Sequence, residues 1–586
     1  MPELPPAVPF LVIGLLIPLI PRRLQGPAFL TAPVLAFVLL LGLEDGDRHT
    51  ATYLGYELTT LRVDRLSLAF GYVFALASLF SGIYALHVRQ TGQNVAAALY
   101  IGSAAGAIFA GDLLTLTVFW ELMALTSVYL IWARGGQVAF GAGVRYLLVH
   151  LFGGSLLLGG VLLHFGQTGS LAFEAFEGGA AAWLILLGFA VNAAIPPLHA
   201  WLADAYPEAT VTGSVFMSAF TTKTAVYALA RGFAGWDVLL WAGVVMALYG
   251  VVYAVLVNDI RRILAYHIIS QVGYMVAGVG MGTALALNGV TAHAFAHIIY
   301  KGLLFMGAGA VLYATGKSRL TDLGGLGPRM KLTFGLYMIG AFSISGFPLF
   351  SGFVSKSMVI AAAEEGGIAA AALLLYLASV GTFLHTGLKL PYFTWMSKDS
   401  GLEPKPLPWN MYAGMGLMAA ACIVIGVYPD LLYRVLPNPV DYEPYTAAHV
   451  VETMQLLLFT GLGFYVLIGQ LAGKPVISLD TDWFYRKATA PARSLGVEAP
   501  AWAFGKVEDA SWTLVRAAVA VGRNPLDYVP FSSWLRTIGT EGAHKQLLQS
   551  GRPYDPNQYR LPIGAAVFSL LVAFSVLLVW GFVRVI

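Results

Sequence analysis

The sequence predicts an all-α polytopic membrane protein with about 14–16 transmembrane helices. Composition, recurrent apolar runs and two interrupted runs carry that reading. Of 586 residues, 58% are hydrophobic and 11% charged, whereas soluble proteins carry roughly 25% charged residues. The apolar runs are about 20 residues long, enough to cross a ~30 Å hydrocarbon core. Backbone groups in lipid must be satisfied within the segment, so runs of this length read as helices. A soluble multidomain protein is excluded. The single cysteine, Cys422, excludes an internal disulfide framework and any metal or iron–sulfur site built on this chain's cysteines, and no cofactor is expected. The formal charge of +3 comes with no basic tract interleaved with aromatics, so no nucleic-acid partner is expected.

The first apolar run, 7–20, has no basic residue ahead of it, is trailed by Arg22-Arg23 and lacks an Ala-x-Ala site. It reads as a retained helix, not a cleaved signal. Further spans are expected at 28–43, 66–87, 94–110, 112–133, 144–165, 179–203, 211–233, 236–257, 262–281, 288–313, 332–362, 367–396, 409–428, 450–471 and 562–585. With the N-terminus outside, twelve basic residues, from Arg22 and Arg23 to Lys398 and Lys405, fall in cytoplasmic connections, against Arg48, Arg62, Arg65, Arg231 and Arg434 outside. The positive-inside rule favours that orientation and puts the long polar stretch 472–561 in the cytoplasm.

Two spans carry a break. The run 179–203 contains Pro196-Pro197, and 332–362 is too long for one crossing and is expected to be interrupted at Ser345-Gly346-Phe347-Pro348. Broken helices five spans apart suggest a duplicated five-helix unit, as in transporters with inverted repeats; ordinary proline kinks are the alternative. The expected division is N-terminal helices over 1–93, a first repeat over 94–233, a second over 236–396, C-terminal helices over 397–471, the polar segment 472–561 and a last helix over 562–586. Within the polar segment, Glu508 to Leu535 shows near-helical spacing of Trp512, Val515, Ala518 and Val519, which fits an amphipathic surface helix or a solvated linker.

Four ionisable residues sit deep in apolar runs: Glu121, Lys223, Lys301 and Lys356. At roughly 2.5–3.5 kcal/mol each on the insertion scale, they must be compensated or serve a function. His293, His297 and Lys301 repeat at i, i+4 and i+8, lining one face with a ~6 Å rise between neighbours. Water can bridge such gaps, so the series fits a proton relay. Satisfied packing is the plain alternative, and a metal pair lacks an intervening Glu and a third ligand. His267, and His385 with Lys389 at i+4, are possible continuations. No nucleophile elbow, phosphate loop or catalytic carboxylate pair is evident, so no self-contained enzyme is expected.

Several strings together carry a family resemblance. They are Phe119-Trp120-Glu121-Leu122-Met123, Pro197-Leu198-His199-Ala200-Trp201, Thr222-Lys223-Thr224-Ala225-Val226-Tyr227, Asp259-Ile260-Arg261-Arg262, the stretch from His293 to Phe305, and Gly352-Phe353-Val354-Ser355-Lys356. They resemble the proton-translocating antiporter-like subunits of respiratory complex I and of Mrp-type multisubunit Na⁺/H⁺ antiporters. Tyr266-His267-Ile268-Ile269-Ser270-Gln271 and Asp482-Trp483-Phe484-Tyr485-Arg486 look most like the D-type subunit of the Mrp antiporters. The resemblance implies two inverted five-helix repeats, each with a broken helix, forming half-channels joined by a hydrated charged axis. It implies that Glu121 is the family glutamate, Lys223 and Lys301 are axis lysines and Lys356 closes the second half-channel. It further implies H⁺ and Na⁺ as transported ions, partner subunits in a hetero-oligomeric complex, and an inner-membrane location. Where the family carries a lysine to pair with the glutamate, this chain has Asn192. Either Lys223 takes over the pairing, or the first half-channel is modified, or protons follow a reduced route. A pumping subunit of a redox complex, or an energising subunit for inorganic-carbon uptake, are the rival roles.

Overall fold

A computed structural model describes residues 4–46, 48–53, 55–474, 480–523 and 563–585. The polar stretches 475–479 and 524–562, with the distal part of the expected amphipathic helix, lie outside the described residues. The chain divides into two compact units, Met1–Trp483 and Phe484–Ile586.

The first unit is a helical bundle. Among the described residues, nine helices are long and apolar enough to cross a membrane, and shorter apolar helices accompany them. The N-terminal helices α1 (Val8–Leu16) and α2 (Gln25–Leu41) precede a departure from the all-α expectation: strands β1 (Arg48–Tyr53) and β2 (Tyr56–Arg62) pair antiparallel. The connection is short and rich in Thr and Tyr, which favour strand geometry, and Gly55 turns it at φ +83°. Helix α3 (Arg65–Tyr84) starts on a capping box, with Asp64 and Ser67 exchanging bonds.

The first repeat follows as α4 (Thr91–Phe109), α5 (Leu113–Trp132), α6 (Gly136–Thr168), α7 (Gly179–Ala193), α8 (Ala200–Ala205), α9 (Val211–Ala219) and α10 (Thr221–Gly232). The second runs as α11 (Asp237–Leu256), α12 (Ile260–Met281), α13 (Ala284–Thr315), α14 (Lys331–Ser345), α15 (Ser351–Glu365) and α16 (Ala369–Thr382). Both expected breaks are present, between α7 and α8 and between α14 and α15. Each upstream half has 15 residues and ends on a left-handed residue, Ala194 at φ 58° and Gly346 at φ 77°.

The duplication extends to individual bonds. Asp112 caps α5 and bridges Ala172; Asp259 caps α12 and bridges Arg319. Leu113 N donates to Leu171 O and Ile260 N to Ser318 O, both at 2.8 Å. The long third helices α6 and α13 each close on a left-handed glycine, Gly169 and Gly316, both at φ 71°. The preceding threonines, Thr168 and Thr315, each accept a bond from the backbone two residues on. Sequence reading found the breaks but not this register, because the matching residues are short polar caps outside the spans.

Two expected continuous spans are interrupted. The run 211–233 divides at Phe220, just before Lys223. The run 367–396 passes into π-helical turns over Phe383–Lys389 and Tyr392–Met396, so His385 and Lys389 do not share α-helical i, i+4 spacing. Helices α17 (Trp409–Val427), α18 (Asp430–Tyr433) and α19 (Ala447–Leu471) follow, then α20 (Asp482–Arg493). The second unit holds α21 (Ala499–Arg523), which covers the described part of the expected amphipathic segment, and α22 (Ile563–Val585).

Candidate functional site

The second repeat gathers most of the predicted residues. On α13, His293, His297 and Lys301 are fully buried. His293 and His297 ring centroids are 6.3 Å apart, and His293 Nδ1 lies 3.3 Å from the Ser355 hydroxyl, next to Lys356. Tyr300 links the row sideways: its hydroxyl donates to Gln271 Oε1 at 3.4 Å, and Gln271 Nε2 donates to Thr382 at 3.2 Å. His267 and His385 face each other at 5.9 Å. Neither ring nitrogen of His267, His297 or His385 has a hydrogen-bond partner among the described residues. Buried polar atoms are normally paired with protein or ordered water, so these three rings are exceptions within the bundle.

Each buried ammonium ends on neutral oxygens. Lys223 Nζ donates to Ser218 O at 2.7 Å and to Thr222 Oγ1 at 3.0 Å, using a carbonyl on the far side of the Phe220 interruption. Lys356 Nζ donates to Ser379 Oγ at 2.6 Å and to Ser345 O at 3.2 Å, across the α14–α15 break. Lys301 Nζ approaches Leu264 O at 3.4 Å, and Lys389 Nζ donates to Val255 O at 2.6 Å. At the Phe220 interruption and the α14–α15 break, carbonyls that a regular helix would use up are free, and Lys223 and Lys356 take them. A cavity lined by Gly346, Lys356, Tyr376, Ser379, His449 and Glu452 adjoins Lys356.

In the first repeat, the first of the three expected alternatives is not what the structure shows. Glu121, half-buried on α5, forms no ion pair among the described residues, and Lys223 does not take over the pairing. Instead the Glu121 carboxyl lies against the backbone of α6 at Gly154, where an added Cβ would collide with Oε1. Asn192, at the end of α7, pairs with His150 of α6 at 2.8 Å. Sequence reading passed over His150, because a lone histidine in an apolar run carries no spacing signal.

It also missed Asp480. This carboxylate, only 8% exposed, accepts from His199 Nε2 at 3.1 Å and from the hydroxyls of Tyr249 and Tyr266. It therefore ties the segment after α19 to the break of the first repeat and to α11 and α12. Burial pushes its pKa up, but the bonds from His199 and the two tyrosines outweigh that and hold it at about 2.

Residues 110–384 match the family described as NADH:quinone oxidoreductase/Mrp antiporter, TM. An uncharacterized protein of Methanocaldococcus jannaschii is 32% identical over 359 residues, covering 57% of this chain and 74% of that protein. The A-type subunit of the Na⁺/H⁺ antiporter of Alkalihalophilus pseudofirmus is 30% identical over 65% of this chain, and the match spans only 54% of that protein. A chain in a solved Mrp complex from Dietzia sp. superposes with a TM-score of 0.68 at 25% identity, covering 78% of this chain and 98% of that one.

Proposed function

The chain belongs to the NADH:quinone oxidoreductase/Mrp antiporter membrane family, and from that premise we propose that it relays protons in a multisubunit monovalent cation/proton antiporter. The observation that carries this reading is the row of buried lysines whose ammonium groups meet carbonyl and hydroxyl oxygens and, among the described residues, no carboxylate. An ammonium so held can give up its proton to water and regain it without breaking an ion pair, which a relay needs and a structural ion pair would oppose. Protons enter by the first repeat at Glu121, pass Lys223, cross to Lys301, His297 and His293, and leave past Lys356. His267 and Lys389 form a side branch on α12 and the π-turn. Na⁺ exchange is the coupled step and is carried out by the assembly.

Purifying the native complex with this chain tagged, identifying its subunits and then measuring ΔpH-driven Na⁺ flux in vesicles tests the reading. Small antiporter subunits and Na⁺ flux are expected. Iron–sulfur subunits would instead assign the chain to a redox complex, as the family's other branch allows, and a zinc carbonic-anhydrase-like partner would assign it to inorganic-carbon uptake.

A further inference from the structure

The internal duplication places one more titratable group in the first repeat than the predicted path uses. With α6 and α13 aligned on their closing glycines, Gly169 and Gly316, His150 falls at the position of His297, and Gly154 at the position of Lys301. The Asp112 and Asp259 bridges fix the same register independently. The second repeat therefore carries a histidine and then a lysine one turn on, while the first carries a histidine and then a glycine. The carboxyl of Glu121 stands where a side chain at that glycine would begin.

We infer that His150 is a proton carrier of the first repeat, passing protons from Glu121 towards Lys223. The inference rests on the relay reading above. His150 is 1% exposed, and its ring packs against both Tyr146 and Trp201, with centroids at 4.2 and 4.4 Å. Asn192 Oδ1 only accepts, so His150 Nδ1 carries the hydrogen of their 2.8 Å bond. That leaves the Nε2 lone pair as the basic site, and Nε2 has no partner among the described residues. Asn192 Oδ1 thus holds the Nδ1–H tautomer, whereas a lysine ammonium at that position could only donate to Nδ1. His150 lies one helical turn, a rise of ~6 Å, before Gly154, the position that the Glu121 carboxyl touches.

In the step itself, the Glu121 carboxylic acid breaks its O–H bond, Nε2 gains the proton to give an imidazolium, and a carboxylate remains. Nε2 then releases that proton through water to the neutral amine of Lys223, which becomes the ammonium, and His150 returns to its starting tautomer. Hydroxyls line the way: Tyr146 with Ser127 at 2.7 Å, Tyr100 with Thr221 at 2.6 Å, and Thr222 with Lys223 at 3.0 Å.

The test uses the complete complex in phosphatidylethanolamine/phosphatidylglycerol vesicles, with an entrapped pH dye reporting proton flux. Two variants are compared with Glu121→Gln and Lys223→Ala. His150→Asn keeps a donor near the Nδ1 position, and His150→Gln keeps bulk and polarity, so at least one should assemble. Loss of flux by about a hundredfold in an assembled His150 variant, with Asn192 unchanged, is expected for a lost proton carrier. Wild-type flux in either assembled variant, with flux lost in Glu121→Gln or Lys223→Ala, overturns the role of His150 and leaves the relay standing. Wild-type flux in all of them overturns both.

Discussion

Gly154 shows how finely the site depends on single atoms. A helix-interior glycine replaced by alanine ordinarily gains about 0.5–1 kcal/mol. At Gly159, where nothing lies within 4 Å of the added carbon, Gly159→Ala should show that gain in a thermal melt. At Gly154 the same methyl group would collide with Glu121 Oε1 and push the flexible carboxyl aside, so Gly154→Ala should lower proton flux, though less than Glu121→Gln does. Wild-type flux in Gly154→Ala would mean that the carboxyl does not need this seat. Asp480 makes a pH prediction. Its folded value, about 2, lies below the ordinary 3.8, so its bonds add stability that is complete above about pH 4 and is lost as pH falls towards 2. Asp480→Asn should therefore melt lower than wild type near neutral pH, by on the order of 2 kcal/mol, and the gap should close in acid. A gap that persists at pH 2 would assign the effect to shape and not to charge. At this scale Glu121, Lys223, Lys301 and Lys356 were legible because charge is costly in an apolar run, whereas His150 and Asp480 were not. One is uncharged when neutral, and the other sits in a polar segment where a carboxylate is ordinary.

The helix interruptions supply the carbonyls that Lys223 and Lys356 meet. Both end their upstream half in the left-handed region, but one uses Ala194 and the other Gly346. A side chain there costs roughly 1–2 kcal/mol. Gly346→Ala should lower thermal stability by about that amount and, with the new carbon 3.3 Å from Lys356 Nζ, should also disturb proton exit. Ala194→Gly should relieve strain and leave the melt unchanged or higher. Equal melts for Gly346→Ala and wild type would argue against the left-handed stop. Pro196-Pro197 and Ser345 to Pro348 announced these breaks, since proline cannot continue a helix. The interruption at Phe220 had no such marker, because neither proline nor glycine stands there. The β1–β2 hairpin escaped notice for another reason: its strands are short and largely exposed, so no apolar period marks them.

Across the whole molecule, composition announced the membrane and the spacing of breaks announced a duplication, but the register of that duplication lay in caps and closing glycines. Asp112 and Asp259, and Gly169 and Gly316, repeat as structure while the residues between them diverge. The proposed relay uses that divergence: the second repeat keeps His297 and Lys301 on one helix, whereas the first has Glu121 on α5 and His150 on α6. On the proposed relay the two repeats act in series, so either half should limit the whole. The most direct test is proton flux in vesicles holding the complete complex, comparing wild type with Lys223→Ala in the first repeat and Lys301→Ala in the second. The relay predicts that each substitution alone abolishes flux while the complex still assembles; undiminished flux in both assembled variants would contradict it.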